Sequence, residues 1–264
     1  MNKNILAIIL LVFALLSISY TTKGQQNLFN IPSGDMTAKG KFFYQHQINV
    51  YNVEAVESKW HFVYGLGKGW DAGINIINTK LNFSPENGER WFKLNDNLTK
   101  APASPLALLT LQKSFQLAPK FKFNVGTQAG TNLTGANHFA HLTYGVFNYE
   151  FPHHIKITAG PYWTNDAFVG RGNNSGMLLG YEIPISKRWY LMGDFITGNH
   201  SNSVAALGGM YNLTKRIQLC AGAIVPNFNN EDTPWGMVFE INIMTWDIFN
   251  DEEEEEEKGK HYVD

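Results

Sequence analysis

The sequence has a single cysteine, Cys220, among its 264 residues. One thiol cannot form a disulfide within a chain, and it cannot build a zinc or iron–sulfur site that needs several thiolates. No histidine lies near it in sequence, so Cys220 is a poor candidate for a nucleophile. Paired histidines at metal-ligand spacing are also absent from the predicted strands. We therefore predict no bound metal and no cofactor.

The sequence is also poor in charge and in helical patterns. Charged residues make up 17% of the chain, and after the N-terminal region no stretch approaches 18 consecutive apolar residues. A soluble protein of this length normally shows several amphipathic helices. Aromatic residues, in contrast, reach 14%, and there are 24 glycines. Many strands without helices predict either a β-barrel or a β-sandwich.

The two ends of the chain differ from its middle. Residues 1–24 carry the basic residue Lys3 near their start, continue with an apolar run at 5–18 and end on a polar stretch, which predicts a secretory signal peptide. The alternative, a membrane-anchor helix, is disfavoured because the run is shorter than the roughly 20 residues needed to span a bilayer. At the other end, the acidic run 251–257 predicts a disordered tail over residues 250–264. The predicted barrel occupies residues 25–249.

One unit recurs along this middle region: a short polar turn, an aromatic residue or Ile, alternating residues, then Gly. It is clearest at 185–194 and 213–222, and looser at 66–73, 117–126 and 151–160. Such units in series predict consecutive hairpins, about 12 strands in all. The short turns carry Lys, Arg or His, whereas the other connections, including 81–105, are mostly longer and rich in Asn, Gly and Ser. An even strand count with short turns at one end and long loops at the other is typical of outer-membrane barrels.

Aromatic residues near the predicted strand ends favour a membrane barrel over a sandwich, because such rings prefer the two lipid–water interfaces. These residues are Trp60, Trp70, Phe121, Trp163, Trp189, Trp235 and Trp246. Residues 239–249 alternate and close on Phe249, which resembles the C-terminal signal of outer-membrane barrels, although the acidic tail follows. The predicted fold is all-β: an antiparallel up-and-down transmembrane β-barrel.

The polar face of the predicted strands gives candidates for lining the lumen. They line either a solute path or a network of charge pairs that fills the barrel, since about 12 strands lies between packed 8-stranded barrels and open porins. The candidates are Lys59, His61, Asp71, Asn75, Lys122, Gln128, His141, Glu182, Asp194 and Glu240.

Several segments carry a family resemblance: SKRWYLMGD at 186–194, GDFITGN at 193–199, LTKRIQL at 213–219 and GAIVPN at 222–227. Together they resemble outer-membrane proteins of the MetA-pathway (phenol degradation) type, which are distantly like the fatty-acid-channel group of uptake barrels. The resemblance implies passage of a small, hydrophobic solute. It implies no catalytic residue.

We predict a passive transporter or channel in the outer membrane of a Gram-negative cell. It would be monomeric, with membrane lipids and a small solute as partners and no nucleic acid. A non-conducting structural or surface-binding barrel is the alternative. A lipid hydrolase, built on a His and a Ser two residues apart, is disfavoured because His141 with Thr143 and His200 with Ser201 or Ser203 do not supply that pair. No enzymatic activity is therefore predicted.

Overall fold

A computed structural model describes residues 27–52, 54–84, 91–227 and 235–248, in which almost all regular structure is β-strand. The predicted signal peptide and acidic tail lie outside these residues. These described residues include two short helical pieces: a 3-10 turn at Pro152–His154 and helix α1 at Asp166–Val169. None of the helices in the described part of the chain is long and apolar enough to cross a membrane.

Thirteen strands follow one another in the described part of the chain, and the fourth has only two residues. Their bounds are β1 Phe42–Asn52, β2 Ala55–Gly67, β3 Trp70–Leu81, β4 Phe92–Lys93, β5 Leu106–Ala118, β6 Phe121–Asn132, β7 Phe139–Glu150, β8 Lys156–Thr164, β9 Ser175–Pro184, β10 Trp189–Ile196, β11 Val204–Asn212, β12 Ile217–Pro226 and β13 Gly236–Met244.

Twelve of these strands close into an antiparallel barrel, as predicted. Each pairs with its neighbours in sequence, β3 pairs with β5, and β1 pairs with β13 to complete the ring. The closing register sets Gln45 opposite Asn242. Strand β4 lies within residues 81–105, the segment predicted to be a loop, and pairs with the end of β3. Closure leaves the ring without a free sheet edge, which is the condition for spanning lipid with strands.

The two ends of the barrel are unlike each other. The connections β2–β3, β5–β6, β7–β8, β9–β10 and β11–β12 are short, and we call their side the turn end. The opposite side, with the segments 82–105, 165–174 and 197–203, is the loop end. The longer loops fold inward, and the α1 residues Phe168 and Val169 are buried against Leu106 and Leu108 of β5.

The outer surface of the barrel is apolar. Outward-facing side chains are largely exposed, for example Leu109 at 69% and Ile74 at 55%, as are Phe62, Leu207 and Met237. A continuous apolar outer surface would be unfavourable in water and is the surface that lipid tails require. The polar residues, in contrast, are concentrated on the inside.

Four of the predicted interface aromatics, Trp60, Trp163, Trp189 and Trp235, are exposed on the outside. The prediction for Trp246 is wrong, because this side chain is buried against Phe43 at the turn end of the lumen. Strand pairing ends at Met244, so Trp246 is no longer constrained to alternate with the outward-facing residues of β13.

Candidate functional site: the barrel lumen

The turn-end half of the lumen is filled by residues 27–40, which we call the inner segment. Its side chains Leu28, Phe29 and Ile31 are buried against inward-facing residues of β7 to β13, including Met192 and Ile224. Apolar side chains inside the barrel are thus packed against the chain's own N-terminal region. This packing places protein where an open channel would hold water.

Polar groups of the barrel wall also bind the inner segment along its length. The carboxylate of Asp194 accepts from the backbone N–H of Asn30 and, at 3.3 Å, from that of Ile31. Asp71 accepts from the backbone N–H of Thr37 at 2.9 Å. These bonds satisfy the backbone of an irregular segment that would otherwise leave polar groups buried without partners.

A buried charge cluster holds the middle of the inner segment. Asp35 Oδ2 lies 2.6 Å from Lys156 Nζ, and Asp35 Oδ1 lies 3.6 Å from Lys122 Nζ. Lys156 Nζ also lies 3.5 Å from Glu182. Two lysines therefore share two carboxylates, one from the inner segment and one from the wall. Removing one member would leave a poorly solvated charge unpaired.

Glycines in the wall allow the inner segment to approach closely. A Cβ at Gly180 would lie 2.4 Å from Leu28 Cδ1, and one at Gly65 would lie 2.3 Å from the Ala38 carbonyl oxygen. Real Cβ atoms do not tolerate such distances, so a larger residue at either position would push the segment away.

The loop-end half of the lumen contains a cavity of about 370 Å³. One wall is polar: Lys59 forms an ion pair with Glu57 at 3.3 Å, and Asn75 Nδ2 donates to Gln128 Oε1 at 3.0 Å. His61 lines the same wall. This polar wall is formed mainly by β2, β3 and β6.

The rest of the cavity lining is largely apolar. Its floor includes Phe29 of the inner segment, and its far wall includes Leu178 and Ile224. Residues of the inward-folded loops, including Phe168 and Val169, complete the lining. The cavity is therefore amphipathic, and its volume suits a small molecule.

His200 anchors one of the loops above the cavity. Its Nε2 lies 2.7 Å from the Tyr162 hydroxyl, which also lies 2.6 Å from the Thr197 carbonyl oxygen. A carbonyl only accepts, so Tyr162 donates to Thr197 and accepts from the His200 Nε2–H. Burial lowers the pKa of His200 to about 4, which keeps the ring neutral near pH 7.

The ten predicted lumen residues fall into three groups. Lys59, His61, Asn75 and Gln128 line the cavity, and Asp71 lines it while also binding the inner segment. Four more belong to the contacts around the inner segment. These are Lys122 and Glu182 in the charge cluster, Asp194 at Asn30, and Glu240, which accepts from the Gln45 amide that in turn is bonded to Asn27.

The tenth prediction, that His141 faces the lumen, is wrong. Its ring lies on the outer surface, 4.6 Å from the ring of Trp163 and 5.8 Å from that of Phe139. On β7 the inward positions are instead Leu142 and Tyr144, which line the cavity. The apolar face of β7 points inward because the interior it meets is itself partly apolar.

Sequence patterns alone do not place the inner segment inside the barrel, although several of its partners, such as Lys122 and Asp194, are among the predicted lumen residues. The signal that could have indicated a buried irregular segment is the apolar group Leu28, Phe29 and Ile31, followed directly by the turn formers at 32–34. Lys156, which is not among the ten predicted lumen residues, forms the shortest ion pair with Asp35. The contacts of Asp35 with Lys122 and Lys156 join residues about 90 to 120 positions apart, which no local pattern reveals.

Within the part of the chain that the structure describes, no three His, Cys, Asp or Glu side chains converge to hold a metal ion.

Comparisons with known proteins give similarity in structure alone. No protein-family model matches the sequence, and no curated protein matches it. Among solved structures, outer membrane phospholipase A from Escherichia coli is 12% identical, with a TM-score of 0.45 over 90% of this chain and 98% of that one. The toluene transporter TbuX of Ralstonia pickettii is 10% identical, with a TM-score of 0.46 over 89% and 100%.

The outer membrane channel DcaP of Acinetobacter baumannii is 9% identical, with a TM-score of 0.31 over 77% of this chain and 94% of that one. At these scores, no property of the three proteins is transferred to this chain.

Proposed function

We propose that this chain is an outer-membrane β-barrel that admits a small, partly apolar solute by passive transport. The turn end would face the periplasm and the loop end the exterior, as in barrels with short periplasmic turns. The apolar outer surface supports insertion as a monomer among membrane lipids.

The cavity at the loop end is the observation that carries this proposal. It lies inside a closed barrel, between the inner segment and the inward-folded loops, and its lining is polar on one side and apolar on the other. Preformed pockets with apolar walls and a few polar groups are typical of small-molecule sites. A hydrophobic solute, as the MetA-pathway resemblance implies, would contact mainly the wall that includes Phe29, Leu178 and Ile224.

The inner segment would control passage from the cavity to the turn end. Much of its polar attachment is made by hydrogen bonds and ion pairs to side chains of the wall, which can exchange for water when the segment moves. The segment also supplies Asn27, Phe29, Asn30 and Pro32 to the cavity lining. A bound solute therefore contacts the segment that must move. If the solute binds more tightly when the segment is displaced than when it is in place, it increases the population of the displaced state.

Reconstitution into liposomes tests the proposal. Purified barrel should conduct small uncharged solutes or show single-channel openings, and empty vesicles should show neither. Weakening the charge cluster with Asp35→Ala should increase the flux. If neither the unaltered protein nor this variant conducts, the transport function is wrong and the barrel is structural or surface-binding.

The hydrolase alternative at His141 and Thr143 gains no support from the geometry. Thr143 Oγ1 lies 2.9 Å from Thr127 Oγ1, and His141 packs on aromatic rings. We propose no enzymatic reaction for the lumen or for this pair.

A further inference from the structure

Two polar side chains, one from β1 and one from β2, lie close together on the outer face of the barrel. His46 Nε2 lies 2.8 Å from Ser58 Oγ. The two side chains are close because Ser58 is paired with Ile48, two positions along β1 from His46 on the same face. The His46 ring meets the ring of Trp60 edge-on at 5.6 Å. Polar side chains on a lipid-facing surface are costly and are often functional.

This pair lies in a groove on the outer surface. The groove has a volume of about 390 Å³, and its polar side chains include His46, Ser58 and Asn52. Its other side chains are mostly apolar and include Ile48, Val50, Leu81 and Phe83. A groove with apolar walls that opens toward lipid suits a hydrocarbon chain better than a hydrated head group.

A third hydroxyl lies beside the pair. Thr79 of β3 is directly opposite Ser58 in the strand pairing and is 8% exposed. Among the described residues, its Oγ1 has no hydrogen-bond partner. The pairing of β2 with β3 is also irregular between Ser58 and Trp60. A buried hydroxyl without a partner is a group that a ligand oxygen would satisfy.

We propose that this groove binds an acyl chain of an ester-bearing membrane lipid and that Ser58 and His46 hydrolyse the ester. Ser58 Oγ attacks the carbonyl carbon while His46 Nε2 takes the hydroxyl proton. The bond to the alcohol oxygen breaks, and the alcohol leaves with the proton from His46. Water then attacks the acyl-serine, with His46 again accepting and returning a proton, which releases the fatty acid and restores Ser58.

The roles of Ser58, His46 and Thr79 in this reaction follow from the chemistry of their side chains. A serine hydroxyl needs an adjacent base to become a nucleophile, and His46 is that base. Thr79 is assigned as the donor to the ester carbonyl oxygen. The water consumed has a short path, because Ser58 lies near the loop end of β2, close to the turn that joins β1 to β2. The reaction is independent of solute passage through the lumen.

A search for His and Ser along one strand overlooks this pair, because its members lie on two adjacent strands. The pair His141 and Thr143 serves as the matched control on the same surface, because Thr143 Oγ1 is bonded to Thr127 and not to a histidine.

The test uses the full barrel in vesicles of dioleoylphosphatidylcholine, with a long-chain alkyl fluorophosphonate as the covalent probe. The variants are Ser58→Ala, His46→Gln and the control Thr143→Ala, each checked for folding by the heat-dependent shift on a detergent gel. Mass spectrometry should find the probe on Ser58 and no label at this position in Ser58→Ala. His46→Gln should slow labelling and fatty-acid release by about 10²-fold or more, as expected for loss of a general base. Thr143→Ala should behave as the unaltered protein.

Absence of label on Ser58 would overturn the proposal, and so would equal labelling rates in His46→Gln and Thr143→Ala. Labelling of Ser58 without release of fatty acid from the vesicles would overturn the hydrolytic step. None of these outcomes depends on conductance, so they leave the proposed transport function untouched.

Discussion

The two halves of the lumen show how one barrel interior is divided between structure and a candidate binding site. In the turn-end half, the polar wall residues bind the inner segment, as Lys122 and Lys156 do at Asp35. In the loop-end half, similar residues bind mainly each other, as Asn75 does with Gln128, and they surround a cavity. The two halves differ because the inner segment fills one of them and only borders the cavity in the other. A polar lumen residue can therefore line a solute path only where no other part of the protein occupies the space beside it.

The largest expected effect comes from removing the charge that holds the filled half. Asp35→Ala leaves Lys122 and Lys156 without their shared carboxylate, and breaking a buried ion pair costs about 3–5 kcal/mol. We expect the inner segment to leave the lumen in a large fraction of molecules. Limited proteolysis of residues 27–40 in the refolded barrel measures this. Asp247→Asn, which breaks the more exposed pair with Lys215, should have little effect.

The second prediction concerns the loop end and pH. Because the pKa of His200 is about 4 in the folded loop and about 6.5 when exposed, the open loop binds the proton more readily. The stabilisation is complete above pH 6.5, is lost as the pH falls toward 4, and amounts to about 3 kcal/mol. The protection factors of the backbone amides of residues 197–203, which are exchange rates corrected for the pH dependence of intrinsic exchange, should fall over this range.

In His200→Gln the loss of protection between pH 6.5 and 4 should disappear, whereas His154→Gln, at an exposed site at the turn end, should retain it. An unchanged pH profile in His200→Gln would contradict the assignment.

The third prediction concerns a substitution that fills space beside the inner segment. Gly180→Val places a side chain where Leu28 lies, and overpacking of this kind costs about 1–3 kcal/mol. We expect a partly displaced inner segment and an increased solute flux. Gly135→Val is the control, because a Cβ there would meet nothing within 4 Å. Equal flux in the two variants would show that this contact does not hold the segment.

The smallest effect on stability is expected in the cavity. Asn75→Leu removes the bond to Gln128, which contributes about 1 kcal/mol. The barrel should stay folded, with its inner segment in place, while the flux of polar solutes falls relative to apolar ones. Flux ratios for a matched polar and apolar solute pair measure this. If the ratio does not change, the polar wall does not contact the solute.

Strand alternation and turn chemistry were enough to predict the closed 12-stranded barrel. They failed where the interior is apolar: alternation with apolar residues outside predicts His141 in the lumen, whereas Leu142 and Tyr144 line the cavity and His141 packs on Trp163 outside. Val146, on the same face of β7, is buried against the cluster that contains Leu28 and Phe29. The apolar side chains of β7 face inward because the inner segment fills the lumen beside them. That packing depends on contacts between residues far apart in sequence.

For the same reason, the sequence placed most of the polar residues inside without separating their roles. Lys122 and Lys59 occupy equivalent positions in the alternation of their strands. Only the fold shows that Lys122 faces Asp35 of the inner segment and that Lys59 pairs with Glu57 at the cavity.

Fixing the inner segment to the wall tests the central claim, that passage requires this segment to move. Ser33→Cys and Thr158→Cys, in a Cys220→Ser background, place thiols where Thr158 Oγ1 lies 3.3 Å from the Ser33 carbonyl oxygen. A short bis-thiosulfonate cross-linker joins them, and mass spectrometry verifies the link. Solute flux into liposomes should fall to the level of empty vesicles and recover when reductant cleaves the link. Equal flux with the link intact and cleaved would contradict the claim.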